Sequence, residues 1–207
     1  MNVLVCTPFG PAPHRIHPLT QQSIDALGCV SVKLETTGKV VYHLADLCEK
    51  YNQARKLTLN GGYHAMLHID ADMVVPSDVV DRLTAVDADV AYGLYVARKN
   101  PSHWLCWRVR GTPISDMPEK AIGCWGKVVP TFGAGMGCTL IRRNVLDRIE
   151  FRTDGVIAGD WNFAQDCANY GFSQAHDLGC IVGHIDNDKV LYPDPDAPKL
   201  YRAEKLN

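Results

Sequence analysis

Within the first 75 residues the hydrophobic pattern alternates between an extended and a helical period, and this narrows the possible folds more than any other property of the chain. Val3 to Cys6 is a short apolar run that breaks at Thr7-Pro8-Phe9-Gly10-Pro11, as a strand feeding a loop does. Pro18 to Leu27 has helical character and stops at Gly28, a C-cap residue. Val30 to Glu35 alternates with period two. Val41, Leu44, Ala45, Leu47, Cys48, Tyr51 and Ala54 recur at helical spacing ahead of Gly61-Gly62, and Ala65-Met66-Leu67 opens a third strand. Strand, helix, strand, helix, strand predicts an α/β fold with a mostly parallel central sheet flanked by helices, and in such sheets ligands gather at the carboxyl ends of the strands.

Later residues continue the pattern. Ser77 is a candidate N-cap for a short helix carrying Val79, Val80, Leu83 and Val86, and Val90 to Val96 reads as a strand. From Arg98 to Pro130 the pattern loosens, with one alternating segment over Trp104 to Arg110. A Gly-rich turn then runs into the strand Cys138 to Ile141, followed by helices over Asn144 to Ile149 and Asp160 to Tyr170. Cys180 to Ile185 is a last strand. The expected organisation is one domain over residues 1–190 with an irregular tail over 191–207.

Composition removes several function classes. A chain of 207 residues with 46% hydrophobic content has enough material for a substantial core. A net charge of -2 gives no strong nucleic-acid signature, since phosphate neutralisation needs a basic surface. No apolar run reaches the length of a membrane span, and Met1 to Pro8 carries no basic leader. The eight cysteines form no CxxC pair. Together these predict reduced thiols and a cytoplasmic location.

The chemistry-bearing candidate is His68-Ile69-Asp70-Ala71-Asp72, at the end of the third strand. Side chains at i and i+2 of an extended segment share a side, so Asp70 and Asp72 are expected to face one hard divalent cation. The same spacing recurs at Asp87/Asp89, Asp186/Asp188 and Asp194/Asp196, so spacing alone does not single the pair out. Gly133-Ala134-Gly135-Met136-Gly137 is spaced wrongly for a dinucleotide fingerprint and leads into a strand, which excludes that reading.

Seven local words in order, VLVCTPFG, YNQAR, HIDADMVVPSDVV, DVAYGLYVARK, TFGAGMGCTLIRRNVL, GDWNFAQDCANYGF and VGHI, resemble those of the GT-A glycosyltransferases, particularly the family 2-like enzymes. The resemblance runs from about Val3 to Ile185. It implies a single GT-A, Rossmann-like domain and a metal-dependent transfer of a sugar from a nucleotide donor, a UDP-sugar, to a hydroxyl acceptor. By that resemblance Asp70 and Asp72 form a DxD motif, with His184 as third ligand to Mn²⁺ (or Mg²⁺); an imidazole favours manganese. Thr7, Pro8, Phe9, Arg15, Glu35, Arg55, Asp70, Ala71 and Gly135 would contact the nucleotide sugar.

Asp160 would be the general base of an inverting displacement, and Trp161 would face the acceptor. The family's usual word at this helix reads Glu-Asp-x-Asp-Phe, whereas here Gly159 and Asn162 replace the flanking acids and leave Asp160 as the carboxylate in register. A helix start is expected to favour its ionised form. Arg55 matches the family's Arg-Asn word without its Asn, since Lys56 follows. Two other readings stay open: a nucleotidyltransferase that makes sugar nucleotides, and a non-catalytic sugar-nucleotide or glycan-binding module.

Overall fold

The computed structural model describes residues 1–11, 15–36, 44–98, 104–107, 123–153, 159–197 and 199–206. It is an α/β structure of the Rossmann-like type. The first strands and helices are β1 (Val3–Phe9), α1 (Pro18–Asp25), β2 (Ser31–Glu35), α2 (Leu44–Asn60) and β3 (Ala65–Ile69). Then follow β4 (Met73–Val74), α3 (Val79–Ala85), β5 (Val90–Leu94), β6 (Val128–Pro130), β7 (Cys138–Arg142) and α4 (Arg143–Arg148). The chain continues through α5 (Gly159–Tyr170), β8 (Gln174–Ile181), β9 (Gly183–Asp186), β10 (Lys189–Pro193) and β11 (Tyr201–Lys205).

Seven strands form the central sheet in the order β2-β1-β3-β7-β5-β8-β6. Strands β2, β1, β3, β5 and β8 run one way, while β7 and β6 run the other. Helices cover both faces, and the strands divide their side chains between them with period two. Val3, Val5, Leu67, Ile69 and Leu140 pack on one face with Ile24 of α1 and Leu83 of α3. Leu4, Cys6, Met66 and Ile141 pack on the other with Tyr51 of α2, Leu146 of α4 and Phe163 of α5. Burial on both faces is why the inner strands β1, β3 and β5 read as largely apolar runs, whereas the edge strand β2 alternates.

A second sheet, ordered β11-β10-β9-β4, corrects the expectation of an irregular tail. Residues 191–193 complete β10, and Tyr201 to Lys205 pair antiparallel with it. The tail's turn residues, Asp194, Pro195 and Asp196, lie in the connector between β10 and β11. The strand expected over Cys180 to Ile185 is also split, because β8 belongs to the central sheet and β9 to the small one.

Three local expectations change. The helix expected to begin near Ser77 starts at Val79, with Asp78 as its cap residue and no side-chain cap bond. Of the alternating segment over Trp104 to Arg110, the described residues make only isolated bridges, Val96 to Trp104 and Trp107 to Gly133, and residues 108–110 lie outside the described set. Val41, expected in the second helix, also lies outside it, and α2 is described from Leu44. Among the described residues no helix is long and apolar enough to cross a membrane.

Candidate functional site

The candidate site lies past the carboxyl ends of β1 and β3, where the chain leaves the central sheet for the small one. Asp70, Ala71, Asp72 and Met73 form a tight turn, closed by the Met73 N–H donating to the Asp70 carbonyl at 3.2 Å. The expected strand geometry, with both carboxylates on one side of an extended segment, is therefore replaced by a turn that aims them separately. Asp70 Oδ1 accepts a hydrogen bond from His68 Nε2 at 2.9 Å. Asp72 Oδ2 instead receives Arg98 Nη1 at 2.7 Å and lies 3.8 Å from His184 Nε2.

His184 is brought here by the two-residue strand β4. Met73 pairs with His184 in the β4–β9 ladder, and the Ile185 N–H donates to the Asp72 carbonyl at 2.9 Å. The ring is buried, and its Nδ1 donates to the Val96 carbonyl at 2.7 Å. A carbonyl can only accept, so Nδ1 carries the hydrogen, and in the neutral ring the Nε2 lone pair is turned toward Asp72. Fixing the tautomer through the opposite nitrogen is what a metal-ligating imidazole requires. Two ligands each about 2.1 Å from one ion lie about 3.0 Å apart at a right angle and about 4.2 Å apart when opposed. The 3.8 Å separation of Asp72 and His184 falls within that span, so the pair fits a divalent cation.

Asp70 does not join them. Among the described residues no three His, Cys, Asp or Glu side chains form a group able to hold a metal. Burial pushes the Asp72 carboxyl up, but the charge of the Arg98 guanidinium, joined by that of His184 whenever its ring is protonated, outweighs it and holds the group below its ordinary value. One carboxylate of each of the three rival Asp pairs has a structural duty instead. Asp89 Oδ2 accepts from the N–H and hydroxyl of Ser173, each at 2.8 Å, Asp186 pairs with Lys189 at 3.6 Å, and Asp194 accepts from the Asp196 N–H at 2.9 Å.

A cavity of about 250 Å³ is lined by Pro8, Phe9, Thr36, Asp70, Ala71, Asp72, Arg98 and His184, among others. A second, of about 160 Å³, contains Asp160, Gly135, Cys48 and Tyr51. Both share Leu47, Asp70, Tyr95 and Leu105, so the two spaces adjoin across those side chains. Asp160 is the second residue of α5, and its Oδ1 accepts from the Trp161 N–H at 2.7 Å. Burial drives the Asp160 carboxyl up from 3.8 to about 6, with the charge of Asp70 adding to the rise and the Trp161 N–H opposing it. The helix start thus favours ionisation as expected, but desolvation is the larger effect.

The other sequence-derived candidates divide. Pro8, Phe9 and Ala71 line the first cavity and Gly135 the second. At Gly135 the close approach that glycine permits is to Tyr95, whose hydroxyl a Cβ would strike. Thr7 is buried in β1, with its hydroxyl lacking a partner, and lines neither space. Arg15 and Glu35 are exposed, and Thr36, one residue beyond Glu35, takes the place at the wall.

Arg55 ties α2 to α4, donating to the Leu146 carbonyl and pairing with Glu150 at 3.1 Å. Trp161 packs its ring 5.2 Å from both Trp107 and Phe132 and lines neither cavity. Residues not singled out from sequence are His68, Tyr95 and Arg98. His68 and Asp70 share the spacing that drew attention to the Asp pair, while Tyr95 and Arg98 both lie in the word DVAYGLYVARK.

No known sequence family and no curated protein sequence matches the chain. Among solved structures it is similar to A197 from STIV, with TM-score 0.65 and 18% identity over 100% of this chain and 95% of that one. That likeness shows a common fold. Weaker likenesses are to a glycosyltransferase involved in the glycosylation of the major capsid of PBCV-1 (TM-score 0.39, 10% identity, 70% of this chain and 61% of that one) and to the inositol-1-phosphate CTP transferase from T. maritima (TM-score 0.47, 12% identity, 89% and 69%). At those TM-scores the two likenesses carry no functional weight.

Proposed function

We propose that this protein is a metal-dependent glycosyltransferase that moves a sugar from a nucleotide donor, a UDP-sugar, to a hydroxyl acceptor with inversion. The observation that carries this reading is the pair of adjoining cavities, with Asp72 and His184 at one end and Asp160, a carboxyl raised to about 6, at the other. A leaving nucleoside diphosphate and a general base need separate places on opposite sides of the reacting carbon, and Asp70, Leu47, Tyr95 and Leu105 form the boundary between two such places.

Asp72 and His184 would hold Mn²⁺ (or Mg²⁺), which when bound supplies Lewis-acid neutralisation of the charge that builds on the diphosphate. Pro8, Phe9 and Thr36 line the same cavity and would receive the nucleoside. Asp160 takes the proton from the acceptor hydroxyl as that oxygen bonds to the anomeric carbon and the bond to the diphosphate oxygen breaks. Desolvation serves this step, because a carboxylate raised toward working pH is a stronger base than a solvated one and is still largely ionised at neutrality.

The test is release of UDP from a panel of UDP-sugars with candidate acceptors, with Mn²⁺ or with EDTA, using the native chain and Asp160→Asn. The variant is expected to lose about 100-fold or more in turnover. Wild-type turnover by Asp160→Asn with a proven donor would make the base assignment wrong, and full activity in EDTA would remove the metal. Pyrophosphate release from a nucleoside triphosphate and a sugar phosphate would replace the reading with nucleotidyl transfer.

A further inference from the structure

Arg98 shares an oxygen with the position at which a cation would be held. Its Nη1 lies 2.7 Å from Asp72 Oδ2, and the same Oδ2 faces His184 Nε2 at 3.8 Å. The guanidinium is the more open of the two groups, with 45% of its side chain exposed against 24% for Asp72. Two residues earlier on the same segment, the Val96 carbonyl fixes the His184 ring. The segment after β5 therefore orients a nitrogen ligand with one residue and covers the carboxylate ligand with another.

A divalent ion on Asp72 Oδ2 and a guanidinium at hydrogen-bond distance from that atom would be like charges within a few ångströms, which is unfavourable even in a wet site. One must leave for the other to bind. A half-exposed ion pair is weakly held, and an arginine side chain reaches alternative positions without backbone movement. The cavity beside it is where, on the reading above, the donor's phosphates would sit. A planar fork of five donors suits phosphate oxygens better than a single carboxylate oxygen does.

We propose that Arg98 is the exchangeable cation of this site: it pairs with Asp72 in the metal-free protein, is displaced when a divalent cation binds, and then engages the donor's diphosphate. This rests on the glycosyltransferase reading. It couples metal and nucleotide, because the group expelled by the first becomes a ligand for the second.

The experiment uses the full chain and two binding measurements that need no turnover. Free Mn²⁺ is followed by electron paramagnetic resonance with protein alone, and UDP is titrated calorimetrically at saturating Mn²⁺, for the native chain, Arg98→Met and Arg98→Lys. Arg98→Met should bind Mn²⁺ about three- to tenfold more tightly, since its internal competitor is gone, and bind UDP about tenfold more weakly. Arg98→Lys keeps the charge without the fork and should fall between for both ligands.

A merely structural arginine would give weaker Mn²⁺ binding in Arg98→Met. That result, an unchanged Mn²⁺ affinity, or no Mn²⁺ binding by either protein overturns the exchange, and an unchanged UDP affinity overturns the phosphate role. If these fail while Mn²⁺-dependent transfer persists in the native chain, only the assignment of Arg98 falls. Transfer undiminished in EDTA would remove the metal reading as well.

Discussion

Asp160→Asn should make the folded protein more stable at neutral pH while removing its activity. The carboxyl rises from 3.8 to about 6 on folding because burial disfavours its charge. A raised acid is bound more tightly to its proton in the folded state, so the penalty is absent below about pH 3.8, grows between 3.8 and 6, and is complete above 6. That interval corresponds to about 3 kcal/mol, and partial solvent access at the side chain reduces the expected gain from an uncharged amide to about 1–2 kcal/mol. The amide oxygen can still accept from the Trp161 N–H, so the local helix start is preserved. Urea unfolding at pH 7.5 and pH 4.0 measures the effect. With a slope of about 2 kcal/mol/M, the variant's midpoint should exceed that of the native chain by about 0.5–1 M at pH 7.5, with most of the difference gone at pH 4.0. A gain of equal size at both pH values, or none at pH 7.5, would refute burial of a charged Asp160 as the cause.

Three further outcomes follow from the same geometry. Turnover should rise with pH through a midpoint near 6 as Asp160 loses its proton, measured as the pH profile of UDP release in saturating Mn²⁺. Asp177→Ala should cost about 1–2 kcal/mol in a thermal or urea melt, because it removes both oxygens that Arg82 grips at 2.9 and 3.0 Å and leaves the partly exposed guanidinium only the looser pairing with Asp78 at 4.0 Å. Gly137→Ala should destabilise by about 1–3 kcal/mol, since its Cβ would overlap Met73 Cε and the Tyr95 ring, and it should weaken UDP binding through displacement of Tyr95 from the cavity wall.

The parts of the molecule legible in its sequence are those where one physical pattern dominates. β3 is buried on both faces and opens as the apolar run Ala65-Met66-Leu67, interrupted only by the buried His68, and α2 shows its stripe of Cys48, Tyr51 and Ala54 at helical spacing. The position of Asp70 and Asp72 at the end of β3 follows from those two elements. Their separate aims do not, because the turn forms where the chain crosses from one sheet to the other, and β4 is only two residues long. The proximity of His184 depends on that same short ladder, which no periodicity announces. Arg98 was hidden for a related reason: a half-exposed arginine acquires meaning only when tertiary structure places a carboxylate opposite it. Arg55 and Trp161 show the converse. Both lie in words matched by resemblance, yet one fastens α2 to α4 and the other packs among aromatic rings, duties set by neighbours distant in sequence.

The central claim is that Asp72 and His184 form the metal and diphosphate end of a nucleotide-sugar site, and calorimetric titration of UDP into the protein tests it most directly. UDP should bind in Mn²⁺ and bind at least about tenfold more weakly in EDTA and to Asp72→Asn, as expected when removing an ion removes the ligand's partner. UDP binding of equal strength in Mn²⁺, in EDTA and in Asp72→Asn would contradict it, as would no binding in Mn²⁺ at all.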